Sequence, residues 1–368
     1  MSKIEDLIRQ YCPNGCEWKR LGDTSLFRIS RGVVISKSYI AEHQGQYPVY
    51  SSQTENDGCL GCIDTYDVDG ERITWTTDGA KAGTVFYRSG KYNITNVCGM
   101  IECVSSNISC KYVSYVLGVE APKFVNKAMG NCKLMSNVVE NIQIPIPPLP
   151  IQKEIVRILD EFTELEKELE KELEMRKKQY EWYRDELLTF GDDVERKRLG
   201  DVADVCRGKR VVKRELSDSV GHPVYQNSLS ILGYYMDSNY PANTSFVIGA
   251  GAAGEIGYSL TDFWAADDCF PIICKGTLLD RFVFYFLMQN QAVLKSKVRK
   301  ASIPRLSRDK IENLEISVPS LQEQQRIVEI LDTFDTLTTD LTKGLPAEIK
   351  MRRMQYEYYR DYLFGLLK

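Results

Sequence analysis

Apolar side chains recur at alternating steps of four and three residues between positions 155 and 187. The positions on this pattern are Ile155, Leu159, Phe162, Glu166, Leu169, Leu173, Arg176, Tyr180, Tyr183 and Leu187. A seam that repeats every seven residues, here with two polar interruptions, is typical of a coiled-coil helix. A helix over residues 152–188 would be about 55 Å long at about 1.5 Å per residue.

A second segment opens with the same apolar pattern at Ile327, Leu331 and Phe334. It then contains Gly344 and Pro346. Because glycine ends helices and proline begins them, we expect a break here and a restart that runs to residue 367. This segment is also four residues longer than the first between the phrases that they share. Such an insertion predicts a stutter that locally unwinds the helix pairing.

A tyrosine-rich phrase is written twice. MRKKQYEWYRDELLTF starts at Met175, and MRRMQYEYYRDYLFGL starts at Met351, with nine of the sixteen positions identical. The seam positions of the second copy are Tyr356, Tyr359 and Leu363. We expect each copy to pack on the other across a pseudo-two-fold axis. Core packing is the expected role of the tyrosines, and docking of a partner helix is the alternative.

The duplication extends over the whole chain. Residues 19–23 recur at 197–201, residues 48–50 recur at 223–225, and residues 155–160 resemble residues 327–332. Each copy begins with short β-type runs separated by Gly, Asn and Asp turns, and continues through prolines into the long helical segment. This order predicts an α+β protein with two β-rich domains in tandem pseudo-two-fold repeat, separated by two long antiparallel coiled-coil helices. The predicted segments are 1–150, with an N-terminal helix, 151–190, 191–322 and 323–368.

The composition and the cysteine content favour a cytoplasmic location. Hydrophobic residues make up 43% and charged residues 27%, which fits folded cores in a water-soluble protein. The start has no signal-peptide pattern, and no apolar run approaches the roughly 18 residues of a membrane helix. Eleven cysteines without an export signal favour reduced thiols. The pairs Cys12/Cys16 and Cys59/Cys62 could form a zinc site, but the second half has no cysteines where Cys59 and Cys62 map.

Catalytic chemistry has little support in the sequence. The chain has two histidines, His43 and His222, which nearly excludes histidine metal sites and a Ser-His-Asp triad. No phosphate-binding loop, methyltransferase signature or metal-binding carboxylate cluster is recognisable. We therefore expect no catalytic residue, no metal and no cofactor in this chain. The net charge of −4 argues against a nonspecific coat for nucleic acid.

Basic clusters and matching polar loops are the stronger signals. Residues 295–310 contain seven Lys or Arg and one acid, and residues 207–214 contain five Lys or Arg in eight. Such density suits phosphate contacts, and amide or hydroxyl side chains in matching loops suit the reading of base edges. The candidate DNA-binding residues are Arg31, Ser51, Ser52, Gln53, Thr77, Lys81, Lys127, Lys133, Arg207, Lys209, Arg210, Gln226, Asn227, Ser228, Lys297, Arg299, Lys300, Ser302 and Arg305.

These phrases, taken in order, resemble the DNA specificity subunit of type I restriction–modification systems. The resemblance rests on residues 12–23 (CPNGCEWKRLGD), 144–152 (IPIPPLPIQ), 301–306 (ASIPRL) and 324–332 (QQRIVEILD), together with the repeated Pro-Val-Tyr. It covers the entire chain, and its specificity comes from the duplication as well as the phrases. One departure is residues 129–134 (MGNCKL), which lack the Ser-Ile-Pro of their partner loop.

The resemblance implies two target recognition domains, each binding one half of an asymmetric, interrupted site in double-stranded DNA. It also implies that the helices set the spacer and dock two methyltransferase subunits, within a complex that includes restriction (translocase) subunits. S-adenosylmethionine, ATP and Mg²⁺ would belong to those partners, and this chain would be a non-catalytic subunit. The alternative is a coiled-coil scaffold with two protein-binding β-rich modules, which would show no salt-dependent DNA affinity.

The helix length generates a first prediction. Removing residues 165–168, one Leu-Glu-Lys-Glu unit, would shorten an α-helix by about 6 Å at about 1.5 Å per residue. That is near two base pairs of DNA at about 3.4 Å each. We therefore expect a shorter spacer in the recognised sequence, as read by methylation mapping of the deletion variant. An unchanged methylated motif would contradict the hypothesis.

Overall fold

The computed structural model describes residues 3–127 and 131–368. The α-helices of this part of the chain are α1 (Lys3–Tyr11), α2 (Lys37–Glu42), α3 (Cys110–Glu120), α4 (Ser136–Val139), α5 (Leu149–Leu187), α6 (Leu199–Val202), α7 (Asp280–Gln289), α8 (Gln291–Ser296), α9 (Arg308–Glu312), α10 (Leu321–Thr339) and α11 (Leu345–Gly365). The heptad pattern thus corresponds to α5, a single helix of 39 residues. The break expected around Gly344 is confirmed, because α10 ends at Thr339 and α11 begins at Leu345.

Short strands fill the regions between the helices. They are β1 (Trp18–Arg20), β2 (Phe27–Arg31), β3 (Gln44–Tyr50), β4 (Cys59–Ile63), β5 (Val68–Asp69), β6 (Arg72–Thr76), β7 (Val85–Arg88), β8 (Lys91–Ile94), β9 (Cys98–Cys103), β10 (Gln143–Pro145), β11 (Arg196–Arg198), β12 (Ala203–Val205), β13 (His222–Tyr225), β14 (Tyr234–Tyr235), β15 (Thr244–Ile248), β16 (Ile256–Ser259), β17 (Trp264–Ala265), β18 (Cys269–Cys274) and β19 (Glu315–Ser317). The mixture of helix and sheet, written twice, confirms the α+β class.

The chain forms two compact units. Unit 1 comprises Met1–Glu168 and Lys350–Lys368, and unit 2 comprises Leu169–Ile349. Each unit therefore contains one β-rich region, one part of α5, and helix contributed by the C-terminal segment.

The sheets of the two units have matching topologies. Unit 1 has an antiparallel sheet in the order β2-β9-β6-β7, and unit 2 has β12-β18-β15-β16 in the same arrangement. A second sheet joins two parallel strands, β3 with β8 in unit 1 and β13 with β17 in unit 2. A short ribbon, β1 with β10 or β11 with β19, precedes the long helix. The sequence repeat is thus a repeat of strand order and register.

One helix covers the antiparallel sheet in each unit. In unit 1, α3 packs on β6 and β7, and in unit 2, α7 packs on β15, β16 and β18. Bulky side chains fill the space between them, including Trp75 and Tyr112 in unit 1 and Phe282 in unit 2, all of them buried. Trp75 lies directly against Gly99 of the neighbouring strand, where a Cβ would come within 2.2 Å of the indole ring. A central strand of each sheet, β6 in unit 1 and β15 in unit 2, is buried along nearly its whole length, so both faces of the sheet are covered there.

A buried glutamine ties the long helix to this covering helix in unit 1. Gln152, in the first turn of α5, is fully buried. Its side-chain oxygen accepts a hydrogen bond from the Ser109 backbone N–H at 2.8 Å, just before α3. Its side-chain nitrogen donates to the Asn107 carbonyl at 3.0 Å and to the Pro147 carbonyl at 2.7 Å. One amide thus satisfies three backbone groups where the strand end, α3 and α5 meet.

The same contact is built again in unit 2. Gln324, in the first turn of α10, is fully buried and accepts from the Leu279 backbone N–H at 2.8 Å. It donates to the carbonyls of Thr277 and Pro319, both at 2.9 Å. We call these two side chains the glutamine clamps.

A second duplicated contact lies two turns further along each helix. Asp160 of α5 accepts from the Tyr115 hydroxyl at 2.7 Å and pairs with Lys111 at 2.7 Å, both on α3. Asp332 of α10 accepts from the Tyr285 hydroxyl at 2.5 Å, and Arg281 pairs with it at 2.6 Å, both on α7. The recurring Ile-Leu-Asp phrase therefore places its aspartate against the covering helix in both units.

The tyrosine phrases pack within each unit on the phenylalanine of the partner helix, rather than on each other. Tyr359 of α11 stacks on Phe162 of α5 in unit 1, with ring centroids 5.2 Å apart. Tyr183 of α5 stacks on Phe334 of α10 in unit 2, also at 5.2 Å. Arg353 of α11 also donates to Glu166, a polar seam position of α5, at 2.8 Å.

The remaining seam positions differ in burial. Ile155, Leu159, Leu169, Ile327, Leu331 and Leu363 are buried, and Leu173, Tyr180, Leu187 and Tyr356 are half-buried. Tyr180 packs edge-on against Tyr285 within unit 2. The covering helices thus take up part of the surface that the heptad pattern assigns to helix pairing.

Replacing Gln152 with Leu tests the clamp. The variant leaves one N–H and two carbonyls buried without a partner, and we expect unit 1 to lose about 2–4 kcal/mol of unfolding free energy. The measurement is the hydrogen-exchange protection of the α3 amides, compared with the protection of the unit 2 amides in the same sample.

The matched control is Gln325→Leu. Gln325 is exposed, and its side chain donates to Glu329 on its own helix at 3.1 Å, so this variant should change stability by less than about 0.5 kcal/mol. Equal protection of α3 in the Gln152 variant and in the unsubstituted chain would show that the clamp is not needed.

Candidate nucleic-acid interface

Several strands of unit 2 end at one edge. Because β18 runs antiparallel to β12 and β15, the start of β18 lies beside the ends of those two strands. The Gly208 N–H donates to the Cys269 carbonyl at 3.1 Å, and the Gly249 N–H donates to the Asp268 carbonyl at 2.7 Å. The parallel strands β13 and β17 end here too, where the Ala266 N–H donates to the Tyr225 carbonyl at 2.9 Å.

The loops that follow these strands are held together by backbone hydrogen bonds. The Ala252 N–H donates to the Asn227 carbonyl at 2.9 Å, and the Gly251 N–H donates to the Pro304 carbonyl at 3.1 Å. Gly251 has φ +81° and lies so close to Asn227 that a Cβ would come within 2.7 Å of its carbonyl oxygen. We call the surface formed by residues 206–210, 226–228, 249–254, 266–269 and 299–306 the unit 2 edge.

Unit 1 repeats this arrangement. The Thr95 N–H donates to the Tyr50 carbonyl at 2.8 Å, which matches the bond from Ala266 to Tyr225 in unit 2. The Leu134 N–H donates to the Thr77 carbonyl at 2.9 Å and brings a second loop alongside. The unit 1 edge comprises residues 31–34, 51–53, 77–83, 95–98, 126–127 and 131–134. Met129 and Gly130 of the divergent MGNCKL segment lie outside the described residues.

The predicted cations are gathered at these edges, and most of them are exposed. The exposed ones are Lys81, Lys127 and Lys133 in unit 1, and Arg207, Lys209, Arg210, Arg299, Lys300 and Arg305 in unit 2. Ser302 is exposed in the same loop as Arg305, and Lys297 is exposed just before that loop. The predicted polar side chains Gln226, Asn227 and Ser228 lie directly after β13, and Ser51 and Ser52 lie directly after β3.

Three predicted residues are partly committed to contacts inside unit 1. Thr77 is fully buried, and its hydroxyl lies 2.9 Å from the Val97 carbonyl oxygen, so its side chain is not on the surface. The Gln53 side chain donates to the Cys59 carbonyl and holds its own loop. Arg31 is exposed but donates to the Ser136 hydroxyl at 3.2 Å.

An arginine that sequence reasoning missed shapes the loop after β3. Arg88 is buried, its guanidinium lies 3.7 Å from the ring centroid of Tyr50 and 4.3 Å from that of Phe86, and it pairs with Asp57. Asp57 has φ +53°, an uncommon conformation for a non-glycine residue, and the ion pair offsets its cost. In unit 2 the matching position of the sheet is Ser259, so this contact belongs to unit 1 alone.

Two tyrosines and two cysteines beneath the edges have raised pKa values. Burial raises the pKa of the Tyr50 phenol and of its match, Tyr225, above the ordinary value. Burial also raises the pKa of the Cys98 thiol to about 12, and it holds the pKa of the matching Cys269 thiol well above its usual range. The charge of each edge therefore comes from its Lys, Arg and Asp side chains.

Metal and membrane features are missing from the part of the chain that the structure describes. Within residues 3–127 and 131–368, no three His, Cys, Asp or Glu side chains are grouped so as to hold a metal ion. No helix in these ranges combines the length and apolar character that would let it cross a membrane. The cysteines, including Cys12, Cys16, Cys59 and Cys62, are unpaired.

One further feature distinguishes the edges of the two units. Where unit 2 has Arg207-Gly208-Lys209-Arg210 after β12, unit 1 has Arg31-Gly32-Val33-Val34 at the end of β2. Val33 and Val34 are 57% and 78% exposed, so the same backbone position presents apolar methyl groups in one unit and cations in the other.

Comparison with known proteins identifies a family whose members resemble this chain. The model of the type I restriction modification DNA specificity domain matches residues 13–175 and again residues 191–351. A protein of Mycoplasma pneumoniae named as a type I specificity subunit is 32% identical over 347 residues, which cover 91% of this chain and 94% of the relative. The MpnII specificity subunit of the same organism is 42% identical over 175 residues, which cover 46% of this chain and 53% of the relative.

Solved structures share the fold. The S subunit of a type I restriction–modification system from M. genitalium has a TM-score of 0.64 and 17% identity, covering 96% of both chains. A chain from a structural study of complex assembly and conformational transition of the type I R-M system has a TM-score of 0.58 and 13% identity, covering 96% of this chain and 98% of its own. The two domain matches and the near full-length relatives lead to one conclusion: this chain belongs to the family of type I restriction–modification DNA specificity subunits, and it carries two specificity domains in tandem.

Proposed function

We propose that each unit binds one half of a bipartite DNA site through its edge. The observation that carries this proposal is that the same strand ends, in both units, gather exposed cations beside amide and hydroxyl side chains. Cations on a rigid backbone suit contacts to phosphates, and short polar side chains beside them suit contacts to base edges. The helices α5, α10 and α11 would set the spacer between the half-sites.

The two half-sites should differ in sequence. Val33 and Val34 suit apolar contact with a thymine methyl group, whereas Lys209 and Arg210 suit phosphates or guanine. The Arg88 contact, which shapes the loop after β3, has no match in unit 2. The backbone of the edge is thus shared and its chemistry is not, which supports an asymmetric target.

The partners would be two methyltransferase subunits and the restriction subunits of a type I complex. Matching exposed side chains on the helices support two equivalent docking positions: Met175 and Trp182 on α5 are 66% and 60% exposed, and Met351 and Tyr358 on α11 are 69% and 67% exposed. Large apolar side chains held in water are common at protein interfaces. S-adenosylmethionine, ATP and Mg²⁺ would be bound by these partners, and the assembly would act in the cytoplasm.

Base-resolution methylation mapping tests the proposal. The chain would be expressed with the methyltransferase encoded beside it, in a host that lacks both, and compared with the methyltransferase alone. We expect a split, asymmetric motif that appears only when both proteins are present. The mass of the purified complex should correspond to two methyltransferase subunits for each copy of this chain.

The assembled complex is the necessary control. If a complex of that composition is purified and no new motif appears, the proposal fails. Its place is then taken by the scaffold alternative, with its protein-binding modules, or by a recognition domain inactivated at the divergent residues 129–134.

Salt dependence gives a second, quantitative prediction. Replacing Lys209 and Arg210 with Ala removes two expected phosphate contacts. The slope of log K against log salt concentration should therefore fall by about 2, because each phosphate contact contributes about 0.9. The measurement is DNA binding by the complex with methyltransferase, titrated at several salt concentrations.

The matched control replaces Lys177 and Lys178 with Ala. Both are exposed on α5 and belong to neither of the two edges as defined above, and the change in net charge is the same. This variant should keep the original slope. Equal slopes in both variants would mean that the unit 2 edge does not contact phosphates.

A further inference from the structure

Asn96 and Asp267 occupy matching positions at the two edges. In unit 1 the turn of residues 95–97 connects β8 to β9, and in unit 2 the turn of residues 266–268 connects β17 to β18. The parallel pairing aligns Tyr50 with Ile94 and Tyr225 with Ala265, so each of the two side chains lies two residues past the paired position. One position therefore carries a carboxamide in one unit and a carboxylate in the other.

Both turns are fixed by hydrogen bonds to their backbone groups. In unit 1 the Asn96 N–H donates to the Val33 carbonyl at 2.9 Å, and in unit 2 the Arg207 side chain reaches the Asp267 carbonyl at 3.4 Å. A rigid turn holds its side chain in one place, which is what selective hydrogen bonding requires.

The Asp267 side chain is incompletely satisfied. Its Oδ1 atom is buried, and no atom of the described residues donates a hydrogen bond to it. The Thr95 hydroxyl, in the matching turn of unit 1, is also buried without a partner. The Asp267 side chain as a whole is partly exposed, and its buried oxygen has no donor among the described residues, so the carboxylate is not committed to an internal contact and is available to a ligand at the edge.

The negative charge of Asp267 indicates which group of a DNA ligand would donate to it. A carboxylate repels phosphates, so an aspartate among Arg207, Lys209 and Arg210 weakens nonspecific attraction to DNA. A carboxylate can only accept hydrogen bonds, and base edges offer donors as exocyclic amino groups. The Asp267 carboxylate disfavours contact with the phosphate backbone of DNA. It is therefore suited to a contact with a base.

On this basis, and resting on the proposed function, we propose that Asn96 and Asp267 are matching base-reading residues. Asp267 accepts a hydrogen bond from the N4 amino group of a cytosine in the half-site of unit 2. Asn96 both donates and accepts, and pairs with N7 and the N6 amino group of an adenine in the half-site of unit 1. The difference at this one position contributes to the asymmetry of the target.

Reciprocal substitutions test the assignment. Asp267→Asn keeps the size and shape of the side chain and introduces the group that unit 1 uses. In methylation mapping of the assembled complex, we expect one position of one half-site to lose its preference for cytosine by about tenfold to a hundredfold and to accept adenine, as base contacts of this kind discriminate by that factor. Asn96→Asp should change one position of the other half-site only.

The control variant is Asp237→Asn, which removes one negative charge from an exposed side chain outside the unit 2 edge and should leave the motif unchanged. A wild-type complex with a clear motif, and an Asp267→Asn complex with the same base preferences at every position, would overturn this inference and leave the proposed function intact. A wild-type complex without a motif would instead overturn the proposed function. A merely structural role of Asp267 would lower methylation at all sites without changing base preference.

Discussion

The hydrogen bonds of two buried glutamines organise the rest of the structure. Each amide satisfies three backbone groups at the junction where a strand, a covering helix and a long helix meet, and no apolar side chain could do so. Because the covering helix also packs on the sheet whose strand ends form the edge, the glutamine links the start of the long helix to the edge of its own unit. Gln152 and Gln324 have the same three kinds of partner, which makes the clamp part of the repeated architecture.

The two copies of the repeat share the backbone contacts of the edges and differ in the side chains there. Backbone hydrogen bonds at the edges are kept, as in the bonds from Thr95 to Tyr50 and from Ala266 to Tyr225. The glycine at position 32 in unit 1, and at position 208 in unit 2, is kept as well, because a Cβ there would come within about 2 Å of a carbonyl oxygen. The side chains that project from this backbone differ between the units. A fold that holds its backbone without help from the variable side chains can exchange them without refolding.

Much of this architecture could be predicted from the sequence, because its signals are local. Heptad spacing predicted α5, Gly344 predicted the break before α11, and the duplication predicted the matching sheets. Periodicity identifies the apolar face of a helix but not what covers it, so the pairing of Tyr183 with Phe334 could not be predicted. The Arg88 contact and the burial of Thr77 were missed for a related reason: both depend on residues far apart in sequence that meet only in the folded unit.

Unit 2 is continuous in the chain, whereas unit 1 is not, and this has a consequence for biosynthesis. Leu363 and Leu367 are buried in the same core as Ile4 and Ile155. At about 5–20 residues per second, the ribosome needs roughly 10 to 40 seconds to pass from the first segment of unit 1 to the segment that completes it. All of unit 2 emerges in that interval. The nascent chain therefore holds an uncovered apolar surface while its neighbour folds, so unit 1 is exposed to aggregation for longer than unit 2.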